Sequence, residues 1–305
     1  MQKTLQVGIV GCGNHAHNHA EVIQASPRFE WIACCDLDRE RAEQFAIKYH
    51  CPHSYGSLKE MLSHHSLDLL IIVAFPTAHP PLIEEALRSG VRAILCEKPL
   101  ALRAKQVKKI QQLALETGAL VVEGLMYRSH PQIQKAKQLI LDGAIGEIRY
   151  IHGQFSDYAR PGSDNWRNHR HLGGGSMTAK GCYLVDACNF FAGAQAHAAF
   201  AIETVNAQWD VEVGVTGTIL YENGVTAQFE TNHRSVWREE LKICGTEGTL
   251  LIPHLVVTKT KPRHIVIERK GAYEAVPMET ETIPFGVFNS YEGQLMNLYG
   301  RRALS

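Results

Sequence analysis

The stretch Leu5-Gln6-Val7-Gly8-Ile9-Val10-Gly11-Cys12-Gly13-Asn14-His15-Ala16 decides how the rest of the chain is read. Its first half is a mostly apolar run, the signature of a parallel strand buried on both faces. Glycines follow at the first and third positions of a G-x-G-x-x-A turn. Lacking side chains, they allow a tight bend and let backbone N–H groups at a helix start approach a pyrophosphate. The six-residue pattern alone is weak, but its place between a strand and a helix strengthens it. The next strand, Phe29 to Cys35, also ends in Asp36, where an acid hydrogen-bonds the ribose hydroxyls of NAD and repels the extra phosphate of NADP. NAD is therefore favoured; NADP stays open because Arg39 in the same loop is able to compensate. The coenzyme candidates here are Gly11, Gly13, Asn14, His15, Asp36 and Arg39. His15, His17 and His19, at i, i+2 and i+4, cannot all share one helix face, so no metal site is expected.

Working outward, further strands are expected at Leu69 to Ala74, Ala93 to Cys96 and Leu120 to Val122. Helices between them are expected at His17 to Ala25, Arg39 to Lys48, Leu58 to Ser63, Pro80 to Ser89 and Ala104 to Thr117. This alternation predicts a parallel sheet covered on both faces. After Gly124 the pattern changes: a helix at Ile133 to Leu141, a strand at Glu147 to Phe155, a helix from Ser176 to Phe191, then β runs with few helices. Asn223-Gly224 between two such runs signals a tight hairpin. The expected architecture is an α/β Rossmann domain over residues 1–122 and an α+β domain with a largely antiparallel open sheet over 123–305, the latter binding substrate.

Composition limits the function. Lys plus Arg and Asp plus Glu each total 31, so bulk charge draws the protein neither to nucleic acid nor to an anionic membrane. The apolar runs are far shorter than the roughly 20 residues that span a bilayer. The N-terminus runs straight into a core strand without a secretory cleavage region, which points to the cytoplasm. The eight cysteines lack paired ligand spacing and read as reduced structural thiols.

Two more strand ends carry chemistry. Phe75-Pro76 follows one strand and is placed to flank the coenzyme crevice. Cys96-Glu97-Lys98-Pro99 follows another and sets an acid and a cation side by side, the cation suited to polarising a hydroxyl as hydride leaves.

Taken together, Gly11 to Ala16, Cys96-Glu97-Lys98-Pro99-Leu100, Glu123 to Pro131, Asn165-Trp166-Arg167 ahead of Gly173-Gly174-Gly175, Gly181-Cys182-Tyr183 and Gly245 to Thr249 form a specific combination. It resembles the glucose-fructose oxidoreductase, inositol dehydrogenase and rhizopine catabolism (Gfo/Idh/MocA) family, nearest its dihydrodiol and xylose dehydrogenase-like branch. The resemblance implies an active site in a cleft between two domains, with Lys98 beside the nicotinamide, Glu97 in the same segment, and Tyr183 exchanging the substrate proton. A free tyrosine, with a pKa near ~10, is a poor base at neutral pH, and a nearby ammonium such as Lys98 favours its phenolate. Arg128, Trp166, Arg167 and Lys180 are the further substrate-binding candidates. The resemblance also implies oligomer contacts through the second-domain sheet.

One position departs from the family pattern: the aspartate common four residues before the catalytic histidine or tyrosine is here Ala179. Asp186, one turn beyond Tyr183, is a candidate replacement. The reading is an NAD-dependent oxidoreductase interconverting a secondary hydroxyl and a ketone on a sugar, cyclic polyol or modified sugar. The alternatives are a related enzyme that oxidises its substrate only transiently, without net NADH production, and a dinucleotide-dependent regulatory or interaction protein.

Overall fold

The computed structural model describes residues 4–158, 165–256, 263–269 and 279–303. Its described residues divide into two units, one from Met1–Leu125 with Tyr291–Ser305, the other from Met126–Ser290.

The first unit is a six-stranded parallel sheet. Its strands are β1 (Leu5–Val10), β2 (Phe29–Cys35), β3 (His53–Tyr55), β4 (Leu69–Ile72), β5 (Ala93–Glu97) and β6 (Leu120–Gly124), in the spatial order β3-β2-β1-β4-β5-β6. Between them run α1 (Ala16–Ala25), α2 (Arg39–Tyr49), α3 (Leu58–His64), α4 (His79–Arg88) and α5 (Ala104–Thr117). Every residue of β4 and β5 is buried, as expected for strands covered by helices on both faces. Strand order reverses between β1 and β4, so the loops leaving their C-terminal ends open a crevice at the sheet's switch point. β3 was not expected: His-Ser-Tyr contains no apolar run, and these residues join the edge only through the pairs Ala33–His53 to Cys35–Tyr55.

The second unit contains α6 (Pro131–Leu141), β7 (Ile148–Tyr158), α7 (Cys182–Ala192), β8 (Ala196–Asn206), β9 (Val211–Tyr221), β10 (Thr226–Asn232), β11 (Arg234–Gly245), β12 (Gly248–Pro253), β13 (Arg263–Arg269) and β14 (Glu279–Phe285). Its eight strands run in the order β14-β13-β12-β11-β7-β10-β9-β8. All neighbours are antiparallel except β10 and β7. The Asn223-Gly224 turn joins β9 to β10, with Gly224 at φ +81°. One face of the sheet is the core: Val213, Val215 and Ile219 of β9 are buried with Ala227, Phe229, Ile151, Phe155, Leu241 and Ile243. Helix α8 (Ser290–Ala303) follows, and from Tyr291 onward it belongs to the Rossmann unit.

The helix expected from Ser176 begins as a π-helical turn, Met177–Gly181, before α7. Such an inserted residue shifts the register of the side chains that follow and often marks functional sites.

Candidate active site

The glycine turn is built by sterics. Gly11 has φ +89°, and a Cβ there would lie 2.7 Å from the Val73 carbonyl oxygen. Gly13 has nothing within 4 Å of its missing Cβ, so the main chain faces open space where a pyrophosphate must approach. The N-terminus of α1 has no side-chain cap and no acid in its first turn; Ala16 and Asn18 donate to the Gly13 and His15 carbonyls, and the positive end of the helix dipole favours an anion there. These features fit a dinucleotide.

Asp36 is anchored behind the turn: Oδ2 accepts from Cys12 N at 2.8 Å and Oδ1 from Asp38 N at 3.0 Å. Arg39 pairs instead with Glu43 at 3.6 Å. The arginine on Asp36 is Arg41, which donates to Oδ1 at 3.3 Å. Asn14 and Phe75 are exposed and Pro76 is buried. Phe75 follows β4 and Lys98 follows β5, two neighbouring strands of one parallel sheet, so both leave from its C-terminal edge.

Glu97 precedes Lys98 and is 5% exposed. Burial pushes its carboxyl up, but the charges and hydrogen bonds of His15 and His19 outweigh this and hold it well below the usual carboxylate range. His19 Nε2 lies 2.8 Å and His15 Nε2 3.3 Å from Glu97 Oε1. Tyr291, from α8, places its hydroxyl 3.0 Å from the same His15 nitrogen, and Gln294 donates to the Glu123 carbonyl at 3.1 Å. Thus the glycine turn, the Glu-Lys-Pro segment and the returning C-terminal helix share one network. Its members Tyr291 and Gln294 were not foreseen, because nothing local in the sequence links residues 15 and 291. His17 turns elsewhere, to the Tyr49 hydroxyl at 2.7 Å. Among the described residues no group of three or more histidines, cysteines or acids is arranged to hold a metal, and all eight cysteines are free thiols.

In the second unit the triple glycine grips the Trp166-Arg167 loop. Gly175 N donates to the Arg167 carbonyl at 2.9 Å, and a Cβ on Gly174 would lie 2.4 Å from that oxygen. Gly175 has φ +123°, with the Glu212 carboxylate where its Cβ would be. The Arg167 guanidinium stacks 4.9 Å from the Trp166 ring. Burial lowers its pKa, opposed by the charges of Asp157 and Tyr183.

Tyr183 is 4% exposed. Its ring meets Tyr127 edge-on at 6.0 Å and Phe155 at 6.2 Å, and its hydroxyl lies 3.6 Å from Met126 Sδ. Asp186 is occupied: Arg128 grips both its oxygens at 2.8 and 2.6 Å, and the Tyr127 hydroxyl donates at 2.5 Å. Two substrate-binding candidates therefore hold each other. Replacing Asp186 with Asn is expected to destabilise the protein by about 1–3 kcal/mol, the cost of breaking a part-buried charged hydrogen bond; unchanged urea unfolding would rule out this bracing role. Lys180, 5% exposed, forms an ion pair with Asp157 and lies 3.0 Å from His233 Nδ1. It is not a solvated surface cation. Asp157 and His233 were missed. The available signal was the period-2 face of β7, on which Gly153 and Phe155 point inward and an acid follows.

Fold and site define a dinucleotide-binding oxidoreductase, and comparison with known proteins agrees. The family model described as an oxidoreductase family with an NAD-binding Rossmann fold matches residues 5–125, and the Gfo/Idh/MocA C-terminal domain model matches residues 133–251. The chain belongs to the Gfo/Idh/MocA family of NAD(P)-dependent oxidoreductases. It is 26% identical to trans-1,2-dihydrobenzene-1,2-diol dehydrogenase of Xenopus laevis, covering 94% of this chain and 86% of that one. It is 28% identical to D-xylose 1-dehydrogenase (NADP(+)) 2 of Haloferax volcanii, covering 81% and 75%. In fold it is similar to a 3-ketoreductase from Actinomadura kijaniata solved with NADP and TDP-benzene, with TM-score 0.89 and 24% identity over 98% of this chain and 89% of that one. No described helix is long and apolar enough to cross a membrane.

Proposed function

We propose that this enzyme interconverts a secondary hydroxyl and a ketone on a sugar, cyclic polyol or modified sugar. When bound, the nicotinamide ring supplies the acceptor or donor of the hydride. Lys98 orients the reacting oxygen, and its ammonium offsets the alkoxide-like charge that develops there. Tyr183 takes the hydroxyl proton in the oxidising direction and returns it in the reducing one. The observation that carries this reading is the shared C-terminal edge of the parallel sheet, where the open Gly13 turn leaves β1, Asp36 leaves the adjacent β2 and Lys98 leaves β5 on the other side of β4. The names of relatives, a D-xylose 1-dehydrogenase, a dihydrobenzenediol dehydrogenase and a dTDP-didehydro-dideoxyglucose 3-reductase, support the substrate class.

For the coenzyme we propose a preference for NAD, because the Asp36 carboxylate stands where a ribose phosphate would be repelled. The test is a panel of D-xylose, D-glucose and myo-inositol with NAD+ and NADP+, followed by reduced-coenzyme absorbance. Turnover with NAD+ ahead of NADP+ is expected, and Asp36→Ser should shift the ratio towards NADP+ by tenfold or more, Arg41 then being released to the phosphate. A wild-type preference for NADP+ would reverse the assignment. Coenzyme binding with neither turnover nor isotope exchange would point instead to a regulatory protein.

Homo-oligomerisation through the second sheet is also proposed. On its outward face Phe200 and Ile202 of β8 are 68% and 64% exposed beside Leu220 of β9, apolar area that a lone chain seldom leaves to water. Sedimentation should find an assembly that Phe200→Asp weakens; a wild-type monomer would reject it. The free thiols fit a reducing compartment such as the cytoplasm.

A further inference from the structure

A polyhydroxylated substrate brings several O–H donors into a site that excludes water, and each needs an acceptor there. Around Tyr183 the helical segment offers none of the expected kind. Position 179 is a buried alanine, and Asp186 is saturated by Arg128 and Tyr127.

The sheet beneath that segment does offer a carboxylate. Alternation along β7 puts Gly153, Phe155 and Asp157 on one face. Leu184 of α7 fills the space above Gly153, since a Cβ there would lie 3.0 Å from its Cδ2. Phe155 lies 6.2 Å from the Tyr183 ring and 5.7 Å from Lys180 Nζ. Asp157 is two residues further on, next to Lys180. Its Oδ1 accepts from Lys180 and from His233 Nδ1 at 2.9 Å. No hydrogen bond from a described residue reaches Oδ2, and the Asp157 side chain is 30% exposed, whereas those of Lys180 and His233 are 7% and 1% exposed. One oxygen is thus fixed from behind by buried donors, and the other is presented. Burial pushes the Asp157 carboxyl up, but His233 and Lys180 more than offset this and hold it at about 2, so it is a pure acceptor at neutral pH.

We propose that Asp157 is a substrate-binding residue whose Oδ2 accepts a hydrogen bond from a substrate hydroxyl neighbouring the reacting one, with Lys180 and His233 as its positioning residues. The carboxylate missing at Ala179 is thereby supplied from the sheet instead of the helix. This rests on the reading that Tyr183 acts on the substrate oxygen.

The experiment takes the best polyol of the panel and its monodeoxy analogues, with wild type, Asp157→Asn and the charge-neutral pair Asp157→Asn/Lys180→Met. The double variant guards against misfolding from a buried, unpaired lysine. Asp157→Asn should lower kcat/KM by about 10- to 100-fold, the value of one hydrogen bond to a charged group. Most of the loss should fall on KM. One deoxy analogue should lose as much with wild type and little more with either variant, a non-additivity that a structural role would not produce. Equal losses for the parent and every deoxy analogue, or an unchanged kcat/KM in both variants, would overturn the proposal. Should no polyol turn over in wild type, the proposed function fails and this assignment with it. Should wild type turn over with additive variant effects, only the assignment of Asp157 fails.

Discussion

Lys98→Ala and Tyr183→Phe are each expected to slow hydride transfer by about 100- to 10,000-fold, the range for loss of a positioned general acid–base or of a charge on the developing oxyanion. Lys98 follows a strand whose five residues are all buried. The next side chain back, Glu97, is clamped by His15 and His19, so the backbone delivering the ammonium has little freedom. Tyr183 is enclosed by Tyr127, Phe155 and Met126, and phenylalanine keeps the ring packing while deleting the hydroxyl that carries the proton. Single-turnover absorbance of the reduced coenzyme is the measurement. Coenzyme affinity should survive Tyr183→Phe, because that residue belongs to the second unit. Wild-type rates in both variants would remove these residues from the chemistry.

The second large effect separates the two glycines of the turn. At Gly11 an alanine methyl would lie 2.7 Å from a backbone oxygen at a φ of +89°. The turn must move, with a cost of about 1–3 kcal/mol for a strained non-glycine conformation, and coenzyme affinity should fall at least tenfold. At Gly13 the methyl meets nothing within 4 Å. Gly13→Ala should therefore keep wild-type thermal stability and still lose affinity, since the methyl occupies the space left for the pyrophosphate. Equal stability losses in both variants would mean that Gly13 serves the fold instead of the ligand.

The Rossmann sheet was largely legible in the chain because its signals are local: a continuous apolar strand, a glycine turn, and an acid one strand later. The helix over Ala104–Thr117 matched its expected bounds because Val107, Ile110, Leu113 and Ala114 fall at helical spacing. β3 was not legible, since an exposed edge strand needs no apolar run. The site was read less completely, for a different reason. Arg39 and Arg41 lie in the same loop-to-helix stretch, and only the structure assigns the second to Asp36. Arg128 and Asp186 are 58 residues apart, so their union is invisible to spacing. Likewise, the pairing of Asp157 with His233 depends on where β10 runs beside β7, a register set by tertiary structure. Nothing local to α8 indicates that Tyr291 would reach His15.

The most direct test of the account is isothermal titration of the purified chain with NAD+, NADP+ and their reduced forms. Saturable binding of one coenzyme per chain, weakened by Gly13→Ala, is the predicted result. Absence of binding by all four would contradict it.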